Sequence, residues 1–510
     1  MLKVRSFNDV SHLTLYFWCC TRHFTIADGV TNVRFVGLSL INGASTEDAG
    51  GGCVRVGRDS SLSLLDVSFR NCMASGSIGR VGAVFVGAGS TLRLEDSKVA
   101  DCSAGYEGGG VYLDELSRVE MSRSEFRDTS SGFCPNPISS CQSSDWADST
   151  GDTCETYISY PRWCGWQESS DECCVCGGGT SKFSCEPAGS GGALFAAMST
   201  SITLQAVEFQ NCSSARAGGA AYLGFNVTAI ISSSRFLDCQ ARDGGAMDLH
   251  GNVSLCLTNV DMHRNHADRG GALNVASAHV AISMHGSTII NNSAVSYAGG
   301  IYLTSTAFKA ANTSILGNTA AFGAGMVGYS ASIMLTAVSF DCNIVSSYGA
   351  ALFLSGSDLS MNECSIEGSL AARGAGIYAK SASSILLRAS TVTGNTGAYG
   401  AGFYLSQSEL TCKNSSIQHN TATQTGGGLI SFSKCVINLI AGASVSHNHT
   451  SSRGGGMYLQ DSSMHMMESS TIWENEAANG GGVYSKSCVM VLTMGSLMLN
   501  TVISIGLPCV

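Results

Sequence analysis

A glycine-rich triplet of the form Gly-Gly-Ala, followed by an apolar residue, recurs along most of this chain of 510 residues. The apolar residue falls at Val54, Val84 and Val111, resumes at Leu194, and returns through Ala221, Met247, Leu273 and Ile301 down to Val483. Apart from one gap of 83, successive spacings lie between 25 and 30 residues and are most often 26. Such a period means that one small unit is stacked many times. A chain of this length would otherwise divide into several globular domains. A stack escapes that limit because each repeat touches only its neighbours.

The repeat reads as β. Segments such as Gly300-Ile-Tyr-Leu and Gly402-Phe-Tyr-Leu are short and β-rich, and Ser201–Phe209 and Ser332–Phe340 read as strands ending in an aromatic residue. No stretch carries a sustained helical stripe. Helical repeats would not tolerate two or three glycines per unit, each costing roughly 1 kcal/mol inside a helix. With 61 Gly, 5 Pro and 44% hydrophobic residues the chain is not disordered. A net charge of −10 without a basic run argues against a nucleic-acid surface.

A second motif precedes most triplets by eight or nine residues: an apolar residue, two variable positions, then Asn or Cys. Examples are Phe69…Cys72, Phe209…Cys212, Ile289…Asn292, Phe340…Asn343 and Ile472…Asn475. Asn suits left-handed turns, and stacked Asn amides hydrogen-bond from coil to coil. Together the motifs predict an all-β, parallel β-helix solenoid of about 17 coils of ~26 residues, three strands to a coil and roughly 80 Å long. The pair Gly-Gly-Ala-(Ile/Leu/Val) and Phe-x-x-Asn resembles the repeat of the chlamydial polymorphic membrane proteins, within the pectin-lyase-like, right-handed β-helix superfamily. The resemblance covers about residues 29–129 and 188–500. It implies a right-handed rod displayed as a surface-exposed passenger for adhesion. Unlike that family, the sequence has no C-terminal run of amphipathic strands long enough for an outer-membrane barrel.

The register divides the chain into a lead-in (1–28), coils over 29–129, an insert over 130–187, and coils over 188–510 with an apparently uncapped end. The insert holds eight of the 22 cysteines (Cys134, Cys141, Cys154, Cys164, Cys173, Cys174, Cys176 and Cys185) and four of the five prolines. That pattern reads as a disulfide-stapled loop, since paired Cys-x-x-Cys elements for zinc are absent. On the rod, Cys72/Cys102 and Cys212/Cys239 occupy matching positions on neighbouring coils and read equally as disulfides or as a buried thiol column. Seven Asn-x-Ser/Thr sequons (Asn211, Asn226, Asn252, Asn291, Asn312, Asn414 and Asn448) fit an extracellular glycoprotein. The apolar tail Val489–Leu507 reads as one more coil in preference to a membrane span.

The position after each post-triplet apolar residue should point outward. Only Asp248, with His250 two residues on and Asn274 one coil away, offers catalytic groups there. One carboxylate does not make the acid/base pair that a polysaccharide lyase or hydrolase needs. The same column holds Tyr112, Tyr222, Tyr302, Tyr378, Tyr404, Tyr458 and Tyr484, which serve either as stacked packing or as a platform for sugars or proteins. At the 26-residue stagger Arg216, Arg242 and Asp268 align, as do Asp243 with Arg269 and Asp238 with Arg264, predicting a ladder of opposite charges. No metal site or cofactor motif is evident, His447 and His449 lacking a third ligand. The sequence therefore points to a non-catalytic extracellular or cell-surface rod for adhesion or carbohydrate contact. The alternatives are a pectin-lyase-like enzyme, and a fragment of a larger protein that a further segment anchors to a membrane.

Overall fold

The computed structural model describes residues 13–16, 22–45, 50–74, 80–132, 189–493, 496–498 and 500–502. Among them every regular element is a β-strand, and neighbouring coils pair in parallel. The strands stack into three long sheets of 17, 16 and 16 members. The post-triplet strands, such as Met247–Leu249 and Ile377–Lys380, form the first sheet. Longer strands such as Ser201–Gln205 form the second, and those carrying the Phe of Phe-x-x-Asn, such as Glu208–Gln210, form the third. The expected three strands per coil are in fact four. A short strand after the Asn position, such as Ser293–Tyr297, forms further stacks of five and ten.

Alternation explains why these residues build a rod. In Ser201–Gln205, Ile202 and Leu204 point into the lumen while their neighbours face out. Equivalent residues fall on top of one another, so Phe126, Phe209 and Phe236 stack at 5.1 and 4.8 Å inside the continuous core. The triplet serves two different constraints. Its first residue adopts a left-handed conformation, as Gly244 does with φ 63°. Its second residue passes against the next coil: a Cβ on Gly245 would come 2.2 Å from the Gly271 carbonyl oxygen.

The Asn column is a ladder buried in the lumen wall. Asn292 Nδ2 donates to Asn318 Oδ1 at 3.1 Å and to the Met262 carbonyl at 2.9 Å, and the pattern repeats through Asn420, Asn448 and Asn475. The left-handed residue is not the ladder Asn, as expected, but the one before it, for example Asn291 (φ 54°) or His447 (φ 54°). The turn therefore belongs to the preceding residue, and the Asn is free to point inward.

Across the gap of 83, Val111 pairs directly with Leu194 and Ser130 with Ser213, while Gly132 and Gly189 lie against each other. The chain thus leaves and re-enters the stack at one point. The eight insert cysteines lie outside the described residues. On the rod, Cys72 bonds Cys53, not Cys102. That link crosses one coil instead of joining two. Cys102, Cys212 and Cys239 remain buried thiols, and burial pushes Cys102 up to about 12. At the other end Val489–Leu492 pairs with Ser463–Met466, continuing the stack. No helix among the described residues is long and apolar enough to cross a membrane.

Candidate functional site

The first sheet carries one column that turns away from the lumen, and the pairing runs Tyr112, Phe195, Tyr222, Asp248, Asn274, Tyr302, Val327, Phe353, Tyr378 and Tyr404, then Ile430, Tyr458 and Tyr484. The register is the one read from the triplets. Its exposure is not. Tyr112, Tyr458, Asp248 and Asn274 are buried, and Tyr222, Tyr302, Tyr378, Tyr404 and Tyr484 are half-buried. The cover comes from the fourth strand, whose last residue folds back over this face. That second column runs Asp243, Arg269, Tyr297, Phe322, Tyr348, Arg373 and Tyr399. The sequence showed only the Asp243/Arg269 step of this column; the same stagger applied to the residue before every triplet finds the rest.

Two chemistries divide the face. Around the sixth coil it is polar. His250 Nε2 stands 2.8 Å from Asp248 Oδ2, and Asn274 Nδ2 donates to Asp248 Oδ1. The Tyr222 ring stacks on His250 at 5.3 Å. Burial raises the Asp248 carboxyl above the ordinary range, and the bond to Asp248 raises His250. Beside it Arg269 Nε donates to Asp243 Oδ1 at 2.8 Å, and Arg264 grips Asp238 through two bonds of 2.7 and 2.8 Å. Two rungs of the expected charge ladder form, and one of them occupies Asp243, a second carboxylate close to Asp248 on this face; among the described residues Asp268 makes no ion pair with Arg242 or Arg216. Further toward the N-terminus Glu107 sits 3.6 Å from Arg80, and burial pushes its carboxyl up to about 7.

Beyond Asn274 the face is aromatic. Tyr297, Tyr302, Phe322, Tyr329, Tyr348, Phe353 and Tyr378 form a cluster outside the lumen. Phe353, Tyr378 and Tyr404 stack at 5.2 and 5.0 Å, following the coil spacing. Arg373 lies over the rings of Tyr348, Tyr399 and Tyr404 at 5.2, 5.7 and 5.8 Å. Lys380 lies over Phe353 at 5.3 Å, and Arg453 over Tyr484 at 5.3 Å. Among the described residues none of these three cations has a carboxylate partner, although the chain as a whole is acidic. His447 and His449 are 2.6 and 3.1 Å from Glu474 and Glu476. No group of three or more metal-ligating side chains gathers among the described residues.

A family model described as the right-handed β-helix region matches residues 323–440, which include the middle coils of this aromatic face. The fold is a right-handed parallel β-helix. No curated protein and no solved structure matches the chain.

Proposed function

We propose that this β-helix is a non-catalytic recognition rod of the extracellular space or cell surface, and that its aromatic face binds an extended glycan carrying acidic groups. The observation that carries the reading is Arg373, held over three tyrosine rings with no carboxylate partner among the described residues. Half-exposed rings whose faces stack on one another line the rod with aromatic edges for a sugar chain to pack against, and Arg373, Lys380 and Arg453 supply charge along the same line. The ring spacing follows the coils, so a polymer lying along the rod meets the same contact repeatedly. The Gly-Gly-Ala and Phe-x-x-Asn motifs add support through their resemblance to the repeats of adhesive surface rods.

A polysaccharide-cleaving reading rests on the Asp248–His250 pair. Among the described residues it lacks a second free carboxylate close by, because Asp243 is engaged by Arg269. The test is binding and turnover of acidic and neutral polysaccharides by the purified protein. Saturable binding of acidic chains, weakened at least tenfold by Arg373→Ala and by Tyr404→Ala, without product formation, is the expected result. Chain cleavage abolished by Asp248→Asn would overturn the non-catalytic reading.

A further inference from the structure

The seven sequons are not equivalent once the coil is in register. In six of them the asparagine is exposed, the middle residue is buried in the lumen wall, and the Ser or Thr hydroxyl two residues on faces outward again. This out-in-out phase holds for Asn211, Asn226, Asn252, Asn291, Asn312 and Asn414. All but Asn252 sit in left-handed corners, with φ between 46° and 56°; at the surface the Asn211 amide donates to Asp128 Oδ1 at 3.2 Å and the Asn252 amide to Asn226 Oδ1 at 3.3 Å. Asn448 has the opposite phase. It and Thr450 are fully buried, with His449 facing out between them. Its amide donates to the Ile417 carbonyl and to Asn475 Oδ1, each at 2.9 Å, so it is a rung of the ladder.

We propose that Asn211, Asn226, Asn252, Asn291, Asn312 and Asn414 are N-glycan acceptors, that Asn448 is not, and that the aromatic face stays bare. The reaction forms a C–N bond from the asparagine amide nitrogen to the anomeric carbon of a lipid-diphosphate-linked oligosaccharide. The glycosyl–phosphate bond breaks, the lipid diphosphate leaves with the electron pair, and the amide gives up one proton. The Cys53–Cys72 disulfide is an independent observation for the same compartment, since such bonds persist in the oxidising secretory route where this transfer occurs. The six acceptors stand at three corners of the coil, before the ladder and at the two ends of the second sheet. None stands in the columns of the aromatic face. A glycan on Asn448 would have to replace a ladder rung, so a chain modified there does not complete the stack.

The full chain secreted from eukaryotic cells, deglycosylated by amidase in ¹⁸O-water and mapped by peptide mass spectrometry, tests this without reference to any ligand. Labelled aspartate at all six positions, and none at 448, is the expected result. Thr450→Ala removes the seventh sequon while leaving Asn448 in place, and it should leave the glycan mass unchanged. Label at 448 in the secreted rod, a mass loss in Thr450→Ala, or any of the six wholly unmodified would overturn the assignment.

Discussion

Asn420→Ala probes the ladder most sharply. The Asn420 amide donates to the Val392 carbonyl and to Asn448 Oδ1, both at 3.0 Å, and its Oδ1 accepts from Asn395 N at 3.1 Å and Asn395 Nδ2 at 2.9 Å. All four bonds disappear with the side chain. At roughly 1 kcal/mol net per buried bond, with the Asn395 N–H left unsatisfied, the loss comes to about 3–5 kcal/mol. Alanine also leaves a small void that the packed neighbours fill only partly. The assay is denaturant unfolding followed by circular dichroism, beside Asn479→Ala, an exposed asparagine outside the ladder. The control should move stability by less than about 0.5 kcal/mol. If Asn420→Ala cost no more than that control, the ladder would be a by-product of the stack and the reasoning would fail.

Other outcomes follow from the same geometry. Phe340→Ala empties a fully buried lumen position and should cost about 3–5 kcal/mol in the same unfolding assay. Cys53→Ser or reduction releases a link of sequence separation 19 and should cost about 3 kcal/mol, read as a shift in the unfolding midpoint. Glu107 has its carboxyl raised by burial to about 7, so the folded state holds a proton that the unfolded state has released. Its contribution is full below about pH 4.5 and is lost as pH rises to about 7, about 3 kcal/mol in all, whereas Glu107→Gln should remove this slope from a stability-against-pH series.

Much of the rod is legible in the amino-acid sequence because stacking repeats one geometry. The 26-residue stagger that aligns Tyr378 with Tyr404 and Asp243 with Arg269 is the pairing seen in space. The parts that escape lie across the coil, where stagger carries no information. Cys53 and Cys72 belong to the same coil, and nothing in their spacing sets them against each other. Asp248 occupies its expected column, yet the fourth strand and the rings around it take it out of water. The aromatic face likewise needs two columns, and only the one holding Tyr302 and Tyr378 follows a conspicuous motif. Tyr297, Tyr348 and Arg373 end a strand of mixed composition whose existence depends on pairing with its neighbours. Folding brings them over the tyrosines from outside the repeat's strongest signal.

The central claim is that a polymer lies along the rod and meets the aromatic face coil by coil. Titration calorimetry with size-defined acidic oligosaccharides tests it most directly. Affinity should climb with each added sugar while the chain spans the coils between Tyr302 and Tyr458, then level off, and Arg373→Ala should lower the plateau at least tenfold. An affinity independent of length, or neutral chains binding as tightly as acidic ones, would contradict the account.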